Sequence, residues 1–200
     1  MIYLIRHGQT AMNIARRLQG RRDEPLNDTG REQARAAAAH LRAQGVVFDR
    51  VISSPLCRAY ETAQLLSFGS VPIETDERLM ELDCGPYEGM DLRAPSREVG
   101  EFFKDFTHAP TPAGMEPLDH VVERAGAFLR DLKGLVSPEE TVLITTHAIA
   151  LKGLLQNLDP RPDGAWWNYP VHNCGGYVFA LQDRAYTRPE ELDYTREAET

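Results

Sequence analysis

The 200-residue chain has few cysteines, no long apolar run and no surplus of positive charge. Its three cysteines, Cys57, Cys84 and Cys174, are widely spaced, odd in number and without a CxxC pair. Neither a disulfide framework nor a thiol metal centre is expected, and free thiols point to a reducing compartment. No stretch approaches the roughly 20 apolar residues that span a bilayer. Only the four residues from Ile2 to Ile5 lead into Arg6 and His7, too few for the apolar core of a secretory signal. The expected location is therefore cytoplasmic, with no membrane partner. Twenty-two Lys and Arg stand against 30 Asp and Glu, a net charge of -8. That balance disfavours nucleic acid and leaves room for a small anion held by local arginines. The phosphate loops GxxxxGKS/T and GxGxxG are absent, and no cysteine has an arginine six residues later. His120-Val121-Val122-Glu123 lacks the second histidine that would complete a metal motif, so it reads as a helix surface, with no metal and no cofactor expected.

What is present suits one domain, residues 1–200, long enough to bury roughly 70% of its unfolded surface. The organising stretch is Leu4-Ile5-Arg6-His7-Gly8-Gln9-Thr10. A short apolar run over 2–5 predicts a buried strand that stops at an arginine, a histidine and a glycine. In open α/β sheets the ligand crevice lies beyond the carboxyl ends of the strands. Arg6 offers a planar donor fork, His7 an imidazole usable near neutral pH, and Gly8 a sharp turn. Taken alone, the triplet reads equally well as a solvated strand end.

Along the chain, residues 16–23 read as a loop. Thr29-Gly30-Arg31-Glu32 has the form of a capping box and predicts a helix over 33–41 that closes near Gly45. A second strand over 46–52 follows, punctuated by Ser53-Ser54-Pro55. With Ser54 as cap and Pro55 in the first helical position, Arg58 falls within about a turn of a helix start, where an anion site or a plain surface arginine would both fit. Residues 71–75 predict a short third strand. Residues 82–89 form an irregular loop whose neighbours Glu81 and Glu88 are candidate acids or solvated carboxylates. The Pro-rich stretch 91–117 carries Phe102, Phe103 and Phe106 and reads as a cap or lid insertion around 85–117, its phenylalanines an apolar anchor rather than substrate contacts. Leu118, Val121, Val122, Ala125, Leu129 and Leu132 mark one helix stripe ending at Gly134. Residues 141–147 repeat the opening design, a β-branched run ending at His147. If the two strands are parallel neighbours, His7 and His147 reach one crevice. A helix over 149–158, core aromatics Trp166, Trp167 and Tyr169, a last strand over 176–181 and a tail over 182–200, as edge hairpin or frayed end, complete the reading.

Two histidines, two arginines and a glutamate at strand and helix ends are the inventory for phosphoryl transfer without metal. Arginines neutralise phosphoryl oxygens, a neutral imidazole attacks, and a carboxylic acid protonates the departing oxygen. The same residues carry a resemblance. Arg6-His7-Gly8-Gln9-Thr10 with Asn13, Leu26-Asn27-Asp28-Thr29-Gly30-Arg31-Glu32-Gln33-Ala34, the run from Ser53 through Arg58 to Ala63, Glu81 with Gly85 and Glu88-Gly89, and Thr146-His147 together resemble the histidine phosphatase superfamily in its phosphoglycerate-mutase-like branch. The matches occur in the family's order from residue 2 to about residue 155. The resemblance implies a three-layer α/β/α sandwich with a mostly parallel central sheet. It implies His7 as the nucleophile that becomes phosphohistidine, and Glu81 as proton donor and then base. It also implies a phosphate pocket of Arg6, Arg58 and His147, with Asn13 close by.

Two positions depart from that pattern. Gln9 stands where many relatives carry Glu, and residues 112–117 only approximate the usual Gly-Glu-Ser. The expected activity is hydrolysis of a small phosphorylated metabolite, with a cofactor-dependent phosphoglycerate mutase as the alternative and a catalytically dead scaffold as a distant third. The chain is short for the segments with which mutases hold a bisphosphorylated intermediate. A homodimer is compatible with the sequence, but no interface is specified.

Overall fold

The computed structural model describes residues 1–69, 71–106, 108–162 and 165–192, with the backbone alone for Trp166. Its organising strand, β1 (Ile2–Arg6), alternates its side chains between two cores. Ile2 and Leu4 enter one apolar cluster and Ile5 the other, as the two-residue period of a strand requires. β4 (Val142–Thr146) is buried along its whole length, the mark of a central strand covered on both faces.

The main sheet runs β3-β2-β4-β1-β5-β8, with β2 (Arg50–Ser53), β3 (Ile73–Thr75), β5 (Gly176–Phe179) and β8 (Glu190–Glu191). β1, β4, β2 and β3 are mutually parallel, while β5 and β8 close one side antiparallel. One face is covered by α2 (Asp28–Ala43) and α3 (Cys57–Leu66), whose Ala34, Ala38, Ala63 and Leu66 pack with Ile5 and Leu143. The other is covered by α5 (Leu118–Leu135) and α6 (Ala148–Leu158), whose Val121, Leu129 and Leu154 pack with Leu4 and Ile144. The result is a three-layer α/β/α sandwich, as expected. A short α1 (Ala11–Ile14) follows β1, and α4 (Arg97–Lys104) lies within the Pro-rich stretch. Val99 and Phe102 of α4, with Met115 beyond it, join the same cluster as Ile2 and Leu4. A hairpin of β6 (Leu181–Gln182) and β7 (Ala185–Tyr186) precedes β8. No helix among the described residues is long and apolar enough to cross a membrane.

Several boundaries differ from the sequence expectation, each for a local reason. α2 starts at Asp28 because Asn27, not Thr29, is its cap. The Asn27 side chain accepts from Gly30 N at 2.7 Å, while its own amide groups donate to Gln9. α3 starts at Cys57, two residues later than predicted, because Asp23 reaches across and accepts from Cys57 N at 2.7 Å, while Ser54 Oγ accepts from Leu56 N. Arg58 still lies in the first turn. Residues 46–49 stay outside β2, and residues 71–72 outside β3. Ahead of the expected loop over 16–23, residues 11–14 form a short helix nucleated by Thr10 and Asn13, which cap one another reciprocally. The tail pairs partly as a hairpin and partly with β5. Its last eight positions, and the side chain of Trp166 expected in the core, lie outside the described residues.

Candidate active site

The site is set by register. β1 and β4 pair from Ile2 with Val142 to Arg6 with Thr146, so the next residue on each strand is a histidine. His7 N donates to Thr146 O at 2.9 Å, and the two imidazole rings lie 5.1 Å apart. Both histidines are buried, at 3% and 0% exposure.

Hydrogen bonding decides their tautomers. His7 Nδ1 lies 2.7 Å from Gly8 O, which only accepts, so Nδ1 carries the proton and Nε2 holds the lone pair. That lone pair accepts from Arg58 Nε at 3.3 Å. The same Arg58 N–H reaches His147 Nδ1 at 3.1 Å, which leaves His147 Nε2–H to donate to Ser54 Oγ at 2.8 Å. Arg58 is itself 0% exposed. Its Nη1 donates to Arg22 O and its Nη2 to Gly20 O, both at 2.8 Å. Gln19, turned with its amide nitrogen toward Thr10 Oγ1, adds its carbonyl oxygen 2.9 Å from Arg58 Nε. Burial, then the charges of Arg6 and Arg58, hold His7 well below the usual imidazole pKa, and burial followed by Arg58 does the same for His147. Both rings are neutral near pH 7.

Arg6 donates through Nη1 to Val171 O at 2.9 Å, while its buried Nε has no hydrogen-bond partner among the described residues. An unmatched buried donor on a permanent cation is a standing demand for an anion. Asn13 accepts from Thr10 N through Oδ1 at 3.0 Å. Glu81 is held at the amino end of α6. Its Oε1 accepts from Leu82 N, Ile149 N and Ala150 N at 3.0 to 3.1 Å, whereas Oε2 has only a 3.3 Å contact with Ile149 N. Oε2 is thus the oxygen left for chemistry.

Arg6, Asn13 and Glu81 line one cavity of about 560 Å³. His7, Arg58 and His147 do not line it; the Gly20 and Arg22 carbonyls occupy the Arg58 donors. All six residues singled out in the sequence therefore gather at the carboxyl ends of β1 and β4, three on the cavity wall and three buried.

Other candidates resolve differently. Glu88 accepts from Arg21 N at 2.6 Å and anchors the 20–22 loop. Gln9 accepts from Asn27 and receives no cavity role. Of the phenylalanines, Phe102 is a 1% exposed core residue and Phe106 stacks 4.2 Å from Trp167. Phe103 packs against the same core and Phe102, and also lines the cavity. Tyr169 is buried as expected, and Trp167 packs beside the core, against Phe103 and under Lys152.

The sequence reading missed a supporting layer. Glu116, in the stretch that only approximates Gly-Glu-Ser, accepts from Arg124 Nε at 2.8 Å, Arg21 Nη2 at 3.4 Å and Asp83 N at 3.0 Å. Arg124 also donates to the carbonyls of Arg78, Met80 and Glu81, so this layer fixes the backbone that carries Glu81. Its signal was the lone charged residue between Gly114 and Pro117. Thr62, which accepts from Gly8 N at 3.1 Å, had no signal beyond its spacing four residues after Arg58. Among the described residues no group of three or more His, Cys, Asp or Glu is placed to hold a metal ion.

A mostly parallel sheet with paired neutral imidazoles and arginine side chains at the carboxyl ends of its strands places the chain among α/β proteins with a candidate anion site at the strand ends. The comparisons narrow it. The model of the histidine phosphatase superfamily (branch 1) matches residues 2–188, and the chain belongs to that superfamily. It is 33% identical over 177 residues to the probable phosphoglycerate mutase GpmB of Proteus mirabilis, spanning 86% of this chain and 81% of that one. It is similar to the solved structure of Bacillus stearothermophilus YhfR, with a TM-score of 0.84, 30% identity and 94% of each chain covered. It is also similar to a putative alpha-ribazole-5'-P phosphatase from Escherichia coli K-12, with a TM-score of 0.82 and 28% identity over 96% of this chain and 94% of that one.

Proposed function

We propose that the chain is a phosphomonoesterase that hydrolyses a small phosphorylated metabolite, without metal, through a phosphohistidine on His7. The observation that carries this reading is the Nδ1 contact with Gly8 O, which leaves Nε2 unprotonated in a site already furnished with cations. Nε2 attacks phosphorus in line and the bond from phosphorus to the ester oxygen breaks. Glu81 gives that oxygen its proton through Oε2. Water then attacks the phosphohistidine, returns a proton to Glu81 and releases inorganic phosphate, so one hard displacement becomes two easier ones. Arg6, with its unmatched Nε, and Arg58 neutralise the phosphoryl oxygens, His147 adds a further contact, and Asn13 lines the same cavity as Arg6. We place the enzyme in the cytoplasm, where Cys57, Cys84 and Cys174, which form no disulfide, stay reduced.

The likeness to a phosphatase structure from Escherichia coli supports hydrolysis; the mutase name of the Proteus mirabilis relative supports the alternative. Phosphorus NMR separates them. The protein is incubated with a phosphomonoester panel and, separately, with 3-phosphoglycerate plus catalytic 2,3-bisphosphoglycerate, with His7→Ala as control. Free phosphate that disappears in the control is the expected result. Conversion of 3- into 2-phosphoglycerate without net phosphate would make the chain a mutase.

A further inference from the structure

We infer that the alcohol half of the substrate is an apolar body larger than a three-carbon acid, an inference that rests on the phosphatase reading above. The cavity of about 560 Å³ falls within the usual range for pockets that enclose a whole small organic ligand, and is equivalent to roughly twenty waters of liquid. Arg6, Asn13 and Glu81 line it, and Gln19 is already engaged with Thr10 and Arg58. The segment 92–103 gives it an apolar wall of Leu92, Pro95, Val99 and Phe103, beside the cations Arg17 and Lys104.

α4 presents that wall. Val99, Gly100, Phe103 and Lys104 fall on one face of the helix and line the cavity, while Phe102 anchors it in the core at 1% exposure. The wall is therefore braced rather than draped. Its two cations do not build a second anion site. Arg17 Nη1 is spent on Gly89 O at 2.6 Å, and Lys104 is an exposed residue at the end of α4. A hydroxyl-rich body would meet few hydrogen-bond partners on this side and would lose its hydration there. An alkyl or aryl body would instead bury apolar surface against four side chains.

The test is a calorimetric titration of the wild-type protein with straight-chain alkylphosphonates from methyl to hexyl, with 2-carboxyethylphosphonate as the polar comparator. Affinity is expected to rise about three- to fourfold per buried methylene, roughly 30-fold from methyl to butyl, with the carboxylated probe weaker than propylphosphonate. In Phe103→Ser and Leu92→Asn the rise is expected to flatten. Leu92 is 42% exposed, so that variant tests the wall even where Phe103→Ser fails to fold. A flat series, tighter binding of the carboxylated probe, or no binding at millimolar phosphonate would overturn the inference. Because these probes are not turned over, the phosphatase reading is judged separately, by phosphate release and phosphohistidine formation from phenyl phosphate. Failure of that assay beside a rising series sinks the hydrolysis and spares the pocket.

Discussion

At the level of single residues, the site depends on which atoms are left over once the fold has taken its share. His7 gives Nδ1 to Gly8 O and keeps Nε2; Glu81 gives Oε1 to three amides and keeps Oε2. The same backbone amides that hold Glu81 would hold a glutamine's oxygen, so Glu81→Gln should leave the fold intact while removing the proposed proton donor. Turnover of a phosphomonoester with a poor leaving group is expected to drop by roughly 10²- to 10⁴-fold, read from initial rates of phosphate release. An unchanged rate would move the acid role elsewhere. His7 was legible in the sequence because it follows an apolar strand directly, and Glu81 because it stands as a carboxylate at the edge of a Gly- and Pro-marked loop. The occupation of Arg58 was not. Its guanidinium is bound by main-chain carbonyls of Gly20 and Arg22, and a carbonyl is common to every residue type, so no pattern of side chains announces it.

Among the elements, the turn after β1 and the start of α2 approach one another closely. A Cβ at Gly30 would stand 2.1 Å from Gln9 O and 2.7 Å from Gln9 N, and one at Gly8 would stand 2.4 Å from Gly30 O. Neither backbone has a free direction to retreat, because Asn27 ties the two together. Gly30→Ala is expected to lower stability by about 1–3 kcal/mol, the usual cost of overpacking, and to reduce phosphate release by displacing His7. Chemical denaturation with an unchanged slope checks the first part. This contact also explains a misplaced boundary: Thr29 and Glu32 have the spacing of a capping box, but the tertiary contact with Gln9 chose Asn27. Asp23 displaced the expected Ser54 cap of α3 in the same way. Local capping chemistry thus identified that helices begin near 28 and 56, while long-range partners set the residue. α4 was illegible for a further reason: its proline-rich flanks hide the single apolar stripe that carries Val99 and Phe102.

For the whole molecule, two buried neutral imidazoles couple folding to pH. Their pKa values lie well below the ordinary range in the folded chain and return to about 6.5 when it unfolds. As pH falls through about 6.5 the unfolded chain therefore takes up protons that the folded chain refuses. The stabilisation is complete above that pH and is lost progressively below it, toward the depressed folded values. Each histidine contributes a slope of up to about 1.4 kcal/mol per pH unit. Urea unfolding between pH 7.5 and 5 should show stability declining on the acid side; a level profile would mean that His7 and His147 are not held neutral.

The register of β1 and β4 has a last consequence, for how such a chain can change over generations. The two imidazoles stand one step beyond the final rung of a five-rung parallel ladder, and side-chain direction alternates at every rung. Substitutions along either strand can be absorbed in small increments by the cores they enter. Insertion or loss of one residue in either strand would turn its histidine away from its mate or dislodge the strand from its cores. A change of length is better absorbed in a connection such as 91–96, where Leu92 and Pro95 line the cavity, without touching the distance between the rings. New substrates can be acquired there by changing loop length, while the strand lengths stay fixed by arithmetic.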